Sequence, residues 1–152
     1  MTSRLPGLSS ARRGVSMHEV PDVMHHATFS LFFVCYNKFM KVVEHVTIAE
    51  LREMAEKMYG SLVKADVDIA KHIIIIDMGM HADGEAYLLE NGSQQNDIWG
   101  FNLHPADYGT DDFIEFDSMI NIRPRQANAS KEILDPELRK RIINLVHETV
   151  HD

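Results

Sequence analysis

The sequence predicts an α+β fold. It reads as a small two-layer domain with a mainly antiparallel sheet of four to five strands and helices packed on one face. Three observations lead there. Apolar residues alternate with period two in several short stretches. The links between neighbouring strand-like stretches are too short for a parallel crossover. Two helical stretches carry clear start signals, and the order is strand, helix, two strands, helix, two strands, helix.

Each element has a local reason. "MKVVEHVTIAELREMAEKMYG" opens as a strand at Met40 and turns into a helix. Thr47 and Glu50 have the Thr-x-x-Glu spacing of a capping box, in which each side chain satisfies an orphan amide of the helix start. Ile48, Leu51, Ala55 and Met58 recur on one face, and Gly60 can end the helix in the left-handed conformation. "LVKADVDI" (62–69) then alternates Val63, Ala65, Val67 and Ile69 on one side of a strand. "HIIIIDMGM" (72–80) follows at once. Four consecutive isoleucines, stiff at χ1, favour a strand covered on both faces, and the short link favours a hairpin.

"HADGEAYLLENGS" (81–93) reads as a short helix with Asp83 as N-cap and Asn91-Gly92 as its stop. "IWGFNLHP" (98–105) places Trp99, Phe101 and Leu103 on a core face, with Gly100, Asn102 and His104 opposite. "ADYGTDD" is a turn-rich loop. "FIEFDSMINIRP" (113–124) reads as the longest strand, with Glu115, Asp117, Asn121 and Arg123 on its polar face. Asp135 and Pro136 open the last helix as N-cap and N1, and Leu138, Ile142, Leu145 and Val146 form its apolar stripe.

Residues 1–39 differ in texture. They hold Pro6, Gly7, "SSARRG" and "MHEVPDVMHH" without a sustained helical or strand period. The sequence therefore predicts a single domain over 40–152, preceded by a disordered extension or by upstream sequence translated from a misplaced start. The whole chain of 152 residues carries a formal charge of −8, whereas residues 40–152, without the four basic and two acidic residues of the extension, carry −10. Such an acidic body argues against nucleic acid and anionic membrane as partners. Cys35 is the single cysteine, which excludes an internal disulfide and suits a cytoplasmic setting. No apolar run approaches the roughly 18 residues of a membrane span.

The stretches "HAD…LLENGSQQNDIWGFNLHP" and "IEFDSMINIRP", with a short helix after them, resemble a family of short prokaryotic proteins catalogued only as a domain of unknown function. The resemblance begins near Met40 and runs almost to the C-terminus. It implies a small stand-alone soluble domain and transfers no catalytic role.

Candidate chemistry lies in three places. If 98–105 and 113–124 pair, then Asn102 and His104 share a sheet face with Glu115, Asp117, Asn121 and Arg123. His104, Glu115 and Asp117 are then the candidate catalytic residues of a hydrolase- or nuclease-like enzyme, with Arg123 beside them. The plainer reading is a solvated sheet face carrying cross-strand ion pairs.

The second place is "RPRQANAS". Arg123 and Arg125 end a run from His72 to Ile122 that contains no Lys or Arg and ten carboxylates. Arg123, Arg125, Gln126, Asn128 and Ser130 could hold a phosphate or carboxylate, with arginine as a bidentate fork. The plainer reading is that the arginines brace the loop.

The third is His81-x-Asp83-x-Glu85, which has metal-ligand residue types. Capping explains Asp83 and the helix dipole explains Glu85, so the sequence assigns no metal site. His147 and His151 fall at a helix end expected to fray. No Gly-rich phosphate signature, GxSxG or body cysteine points to a cofactor or nucleophile. The sequence thus favours a binding or regulatory protein that engages a protein or small anionic ligand.

Overall fold

The computed structural model describes residues 40–152; the expectation about residues 1–39 lies outside them. The elements in chain order are β1 (Lys41–Val43), β2 (Val46–Thr47), α1 (Ile48–Met58), β3 (Val63–Asp68), β4 (Ile73–Ile76), α2 (His81–Glu90), β5 (Ile98–Leu103), β6 (Ile114–Glu115), α3 (Pro136–Thr149) and β7 (Val150–His151). Five strands form one sheet in the order β1-β4-β3-β5-β6, and every neighbouring pair is antiparallel. The α+β class and the antiparallel sheet are as the sequence predicts.

The local signals act as expected at α1 and α3. Thr47 Oγ1 accepts from the Glu50 amide at 3.2 Å, and Glu50 Oε2 accepts from the Thr47 amide at 2.9 Å. Gly60 follows at φ +80°, a conformation that favours glycine. Asp135 Oδ1 caps α3 through the Glu137 amide at 2.9 Å. In the β3–β4 hairpin, Asp68 Oδ1 accepts from the amides of Ala70 and Lys71, both at 2.9 Å, and this side-chain turn reverses the chain.

One sheet face carries Val63, Ala65, Val67, Ile74, Ile76, Trp99, Phe101 and Leu103. It packs on α1 through Leu51, Met54 and Ala55, and on α3 through Ile142, Leu145 and Val146. The helices do not all lie there. α2 covers the opposite face, where Leu88 and Met78 pack on Ile75 and Ile98. The run of isoleucines demands two covered faces, and α2 supplies the second cover.

Three further expectations are corrected. Within 113–124 only Ile114 and Glu115 pair as strand, against Leu103 and Asn102. Beyond them the Asn121 side chain takes a strand's place: its Oδ1 accepts from the Gly100 amide at 2.9 Å and its Nδ2 donates to the Gly100 carbonyl at 2.8 Å. A side-chain amide carries both a donor and an acceptor, so one asparagine satisfies this stretch of the β5 edge and the chain is free to turn. Secondly, the N-cap of α2 is Met80 rather than Asp83. Thirdly, the C-terminus is ordered rather than frayed. β7 pairs in parallel with β2, and His151 Nε2 lies 3.1 Å from His45 Nδ1.

Candidate functional site

The sheet face expected to meet water is enclosed. Asp66 stands in the middle of β3, fully buried, beside Gly100 of β5 and Ile75 of β4. Two glycines make room for its carboxylate. A Cβ on Gly84 of α2 would fall 2.1 Å from Asp66 Oδ2, and one on Gly100 would fall 3.0 Å from Oδ1. Both glycines are costly inside regular elements; the Asp66 carboxyl explains Gly84, and at Gly100 the Ser118 side chain is nearer still, 2.6 Å from an added Cβ.

From Asp66 a chain of hydrogen bonds runs outward. His81 Nδ1 lies 2.7 Å from Asp66 Oδ1, and His81 Nε2 lies 3.2 Å from Asn102 Oδ1. Asn102 Nδ2 donates to Glu115 Oε2 at 2.9 Å, and His104 Nε2 meets the same oxygen at 3.0 Å. Donor and acceptor roles follow from the ends. Glu115 and the Asp117 carbonyl only accept, so the nitrogen of the Asn102 amide faces them and its oxygen faces His81. The His81 Nε2 therefore carries a hydrogen. One more proton must lie between His81 Nδ1 and Asp66, on either partner.

The two carboxyl groups of this chain are pushed in opposite directions. Burial raises Asp66 to about 6, against the hydrogen bond from His81. Hydrogen bonds from His104 and Asn102 hold Glu115 below the usual carboxylate range. The buried end thus retains a proton where the outer end has lost its own.

The four residues of the hydrolase-like quartet are only partly brought together. His104 and Glu115 are bonded. Asp117 pairs instead with Lys131 at 3.4 Å, and Arg123 pairs with Glu85 at 3.0 Å. The Arg123 guanidinium is nearly buried, donates to the Gln95 carbonyl, and lies 5.0 Å from the Trp99 ring centroid. Burial lowers its pKa, with Glu85 opposing.

The 123–130 loop is closed on itself. Arg123 and Asn128 exchange backbone hydrogen bonds at 2.6 and 3.1 Å. Asn128 Nδ2 faces the carbonyls of Asn121, Ser130 and Glu132 at 2.7 to 2.9 Å, and its Oδ1 accepts from the Leu134 amide at 2.8 Å. Gln126 donates to the Asn96 carbonyl at 3.1 Å, and Ser130 Oγ accepts from the Glu132 amide at 3.1 Å. Arg125 is exposed and, among the described residues, makes no ion pair or side-chain hydrogen bond.

His81, Asp83 and Glu85 diverge: His81 goes to Asp66 and Glu85 to Arg123. Among the described residues no group of three or more His, Cys, Asp or Glu is arranged to hold a metal. Sequence reasoning missed Asp66. Its signals were an acid inside the apolar "VKADVDI" strand, a glycine in the middle of a helix and a glycine in the middle of a strand.

The fold and site define a small α+β domain whose polar groups are concentrated between one helix and one face of an antiparallel sheet. A family model described as "Protein of unknown function (DUF5674)" matches residues 40–149, and the chain belongs to that family. No curated protein and no solved structure matches the chain. Among the described residues no helix is long and apolar enough to cross a membrane.

Proposed function

We propose that the domain is a binding or regulatory protein that engages a protein or small anionic ligand and does not transform it. One observation carries this reading: the 123–130 loop is held closed by its own polar residues and leaves Arg125 exposed, with no ion pair or side-chain hydrogen bond among the described residues. Arg123, Asn128, Gln126 and Ser130 hold the loop in shape, and Arg125 is the cation the loop turns outward. A cytoplasmic setting belongs to the same reading and rests on the single Cys35. The test is partner capture with wild-type and Arg125→Ala protein. Loss of the partner at an unchanged melting temperature supports the loop; equal capture by both proteins contradicts it.

A second reading rests on His104 and Glu115. Their contact at 3.0 Å opens beside a groove of about 590 Å³ lined by Glu115, Asp117, Ser130 and Lys131. A hydrolase-like enzyme would use this pair for proton transfer, with Asp117 on the groove wall; Arg123, bound to Glu85, lies outside the groove lining. Turnover of a phosphodiester or ester that is lost in Glu115→Gln would establish it in place of the binding reading.

A further inference from the structure

The five-stranded sheet ends at β6, and the outer side of β6 has no neighbouring strand among the described residues. The His104 amide bonds to the Phe113 carbonyl at 2.9 Å, which makes Asn102 and Glu115 the hydrogen-bonded pair and Leu103 and Ile114 the non-bonded one. The amide and carbonyl of Ile114 therefore point away from β5. Those of Phe116, two residues on, repeat that direction. Among the described residues the backbone groups of Ile114 and Phe116 meet no hydrogen-bond partner on that side.

A groove runs along this edge. Its larger part, about 590 Å³, lies between β6 and residues 130–132, and a part of about 280 Å³ continues against α3; the two share Ile114, Phe116 and Arg139. The floor is apolar. Ile114, Phe116 and Ile143 are half-buried there, and the first two pack on the main core. Sheet edges kept free of partners are usually covered, or blunted by inward-pointing charges; here the inward positions are Ile114 and Phe116. The charges bear on the occupant. Lys131 is paired with Asp117 at 3.4 Å and Arg139 with Glu132 at 2.8 Å. Asp111 and Glu115 line the same groove without a lysine or arginine partner among the described residues, and Glu115 stands with His104 on the other side of the strand from Ile114 and Phe116. The groove is therefore complementary to positive charge.

We propose that the groove takes an extended segment of a partner protein, alternating apolar and basic residues, as a sixth, antiparallel strand of the sheet. Its backbone bonds to the outward groups of Ile114 and Phe116, the main-chain pairing by which sheet edges capture peptides. Its apolar side chains enter the floor beside Ile143. Its lysines or arginines, on the opposite face because side chains alternate, stand across from Glu115. This inference goes beyond the Arg125 loop and does not depend on it. It fills the groove that the hydrolase-like reading takes as an active site.

The experiment uses the full-length ¹⁵N-labelled chain, titrated at constant ionic strength with the peptide acetyl-Lys-Val-Lys-Val-Lys-Val-amide. Saturable shifts are expected at Ile114, Glu115 and Phe116, and the amides of Ile114 and Phe116 should gain hydrogen-exchange protection. In an antiparallel pair the valines lie opposite Ile114 and Phe116. N-methylation of the valine amides should therefore abolish binding, and N-methylation of the lysine amides should spare it. A Glu-Val peptide of the same length should bind more weakly. Glu115→Gln should weaken the Lys-Val peptide by up to about fivefold, the scale of a cross-strand ion pair. Equal binding by the two N-methylated peptides overturns the proposal, because attraction to an acidic surface alone would give it. The absence of saturable shifts at Ile114 and Phe116 overturns it as well. Protection of those amides that rises with protein concentration and without peptide also overturns it, with a second copy of the chain as the occupant. The Arg125→Ala capture tests the loop separately.

Discussion

Asp66 and Gly84 are in contact where a helix crosses a sheet: the carboxylate of one fills the space a side chain on the other would need, 2.1 Å from Oδ2 to an added Cβ. α2 can approach the sheet only because residue 84 is glycine, and Asp66 can be buried only because His81 from the same helix meets it.

The contact makes Gly84→Ala a sharp test. Alanine improves helix propensity by about 1 kcal/mol, yet overpacking a tight site costs about 1–3 kcal/mol. We expect net destabilisation by denaturant titration. In the Asp66→Ala background the clash with the carboxylate is gone, and the remaining neighbour at 2.6 Å is the flexible Met78 side chain. The same change should then cost far less, and the double-mutant cycle should show coupling.

Asp66 also sets a pH dependence. Its folded pKa of about 6 lies above the ordinary value of 3.8. Between those values the native state holds a proton that the unfolded chain has released, so stability falls as pH rises through the window and is level above it. Asparagine imitates the protonated acid by donating Nδ2–H to His81 Nδ1. Asp66→Asn should remove this slope and gain on the order of 2–3 kcal/mol above pH 6. The difference between the two stability curves isolates the effect from other groups. A large loss at pH 7.5 would mean that the pair is an ion pair, because breaking one leaves a buried charge.

The two arginines of "RPRQ" should separate cleanly. Arg123→Ala leaves Glu85 without its cationic partner, with only the Gln95 amide at 3.3 Å remaining, and uncovers Trp99, so we expect a loss of about 2–4 kcal/mol. Arg125→Ala touches nothing in the fold and should stay within about 0.5 kcal/mol of wild type. Thermal denaturation of both variants checks this.

Asn121→Ala removes both bonds to Gly100. Two buried backbone groups are then unsatisfied, at about 1–3 kcal/mol each. The Gly100 amide should lose its hydrogen-exchange protection while Phe101, whose partner lies within the sheet, keeps much of its own.

Elements fixed by contiguous residues were legible in the sequence. The Thr47–Glu50 box, the Asp135-Pro136 opening and the isoleucine hairpin each depend on neighbours within a few positions. The second face was not legible, because alternating polar residues look the same whether water or a polar layer covers them. Asn102, Glu115, Asp117 and Arg123 read as a solvated face. The packing of Leu88 on Ile75 and Ile98 and the pairing of Asp66 with His81, 15 residues away, show that the middle of it is enclosed. Arg123 was matched with Glu115 and Asp117, its presumed strand neighbours, but the strand ends early and Glu85 of α2 takes it instead. Gly84 was the clue with most to tell: a glycine in mid-helix marks a close approach, although not the residue that makes it.

The claim on which these points turn is that burial between α2 and the sheet raises the Asp66 carboxyl to about 6. The most direct measurement is the ¹³C shift of the Asp66 carboxyl followed through a pH titration of the folded protein. The account predicts a midpoint near 6, absent in Asp66→Asn. A midpoint at or below the ordinary aspartate value of about 3.9 would contradict it.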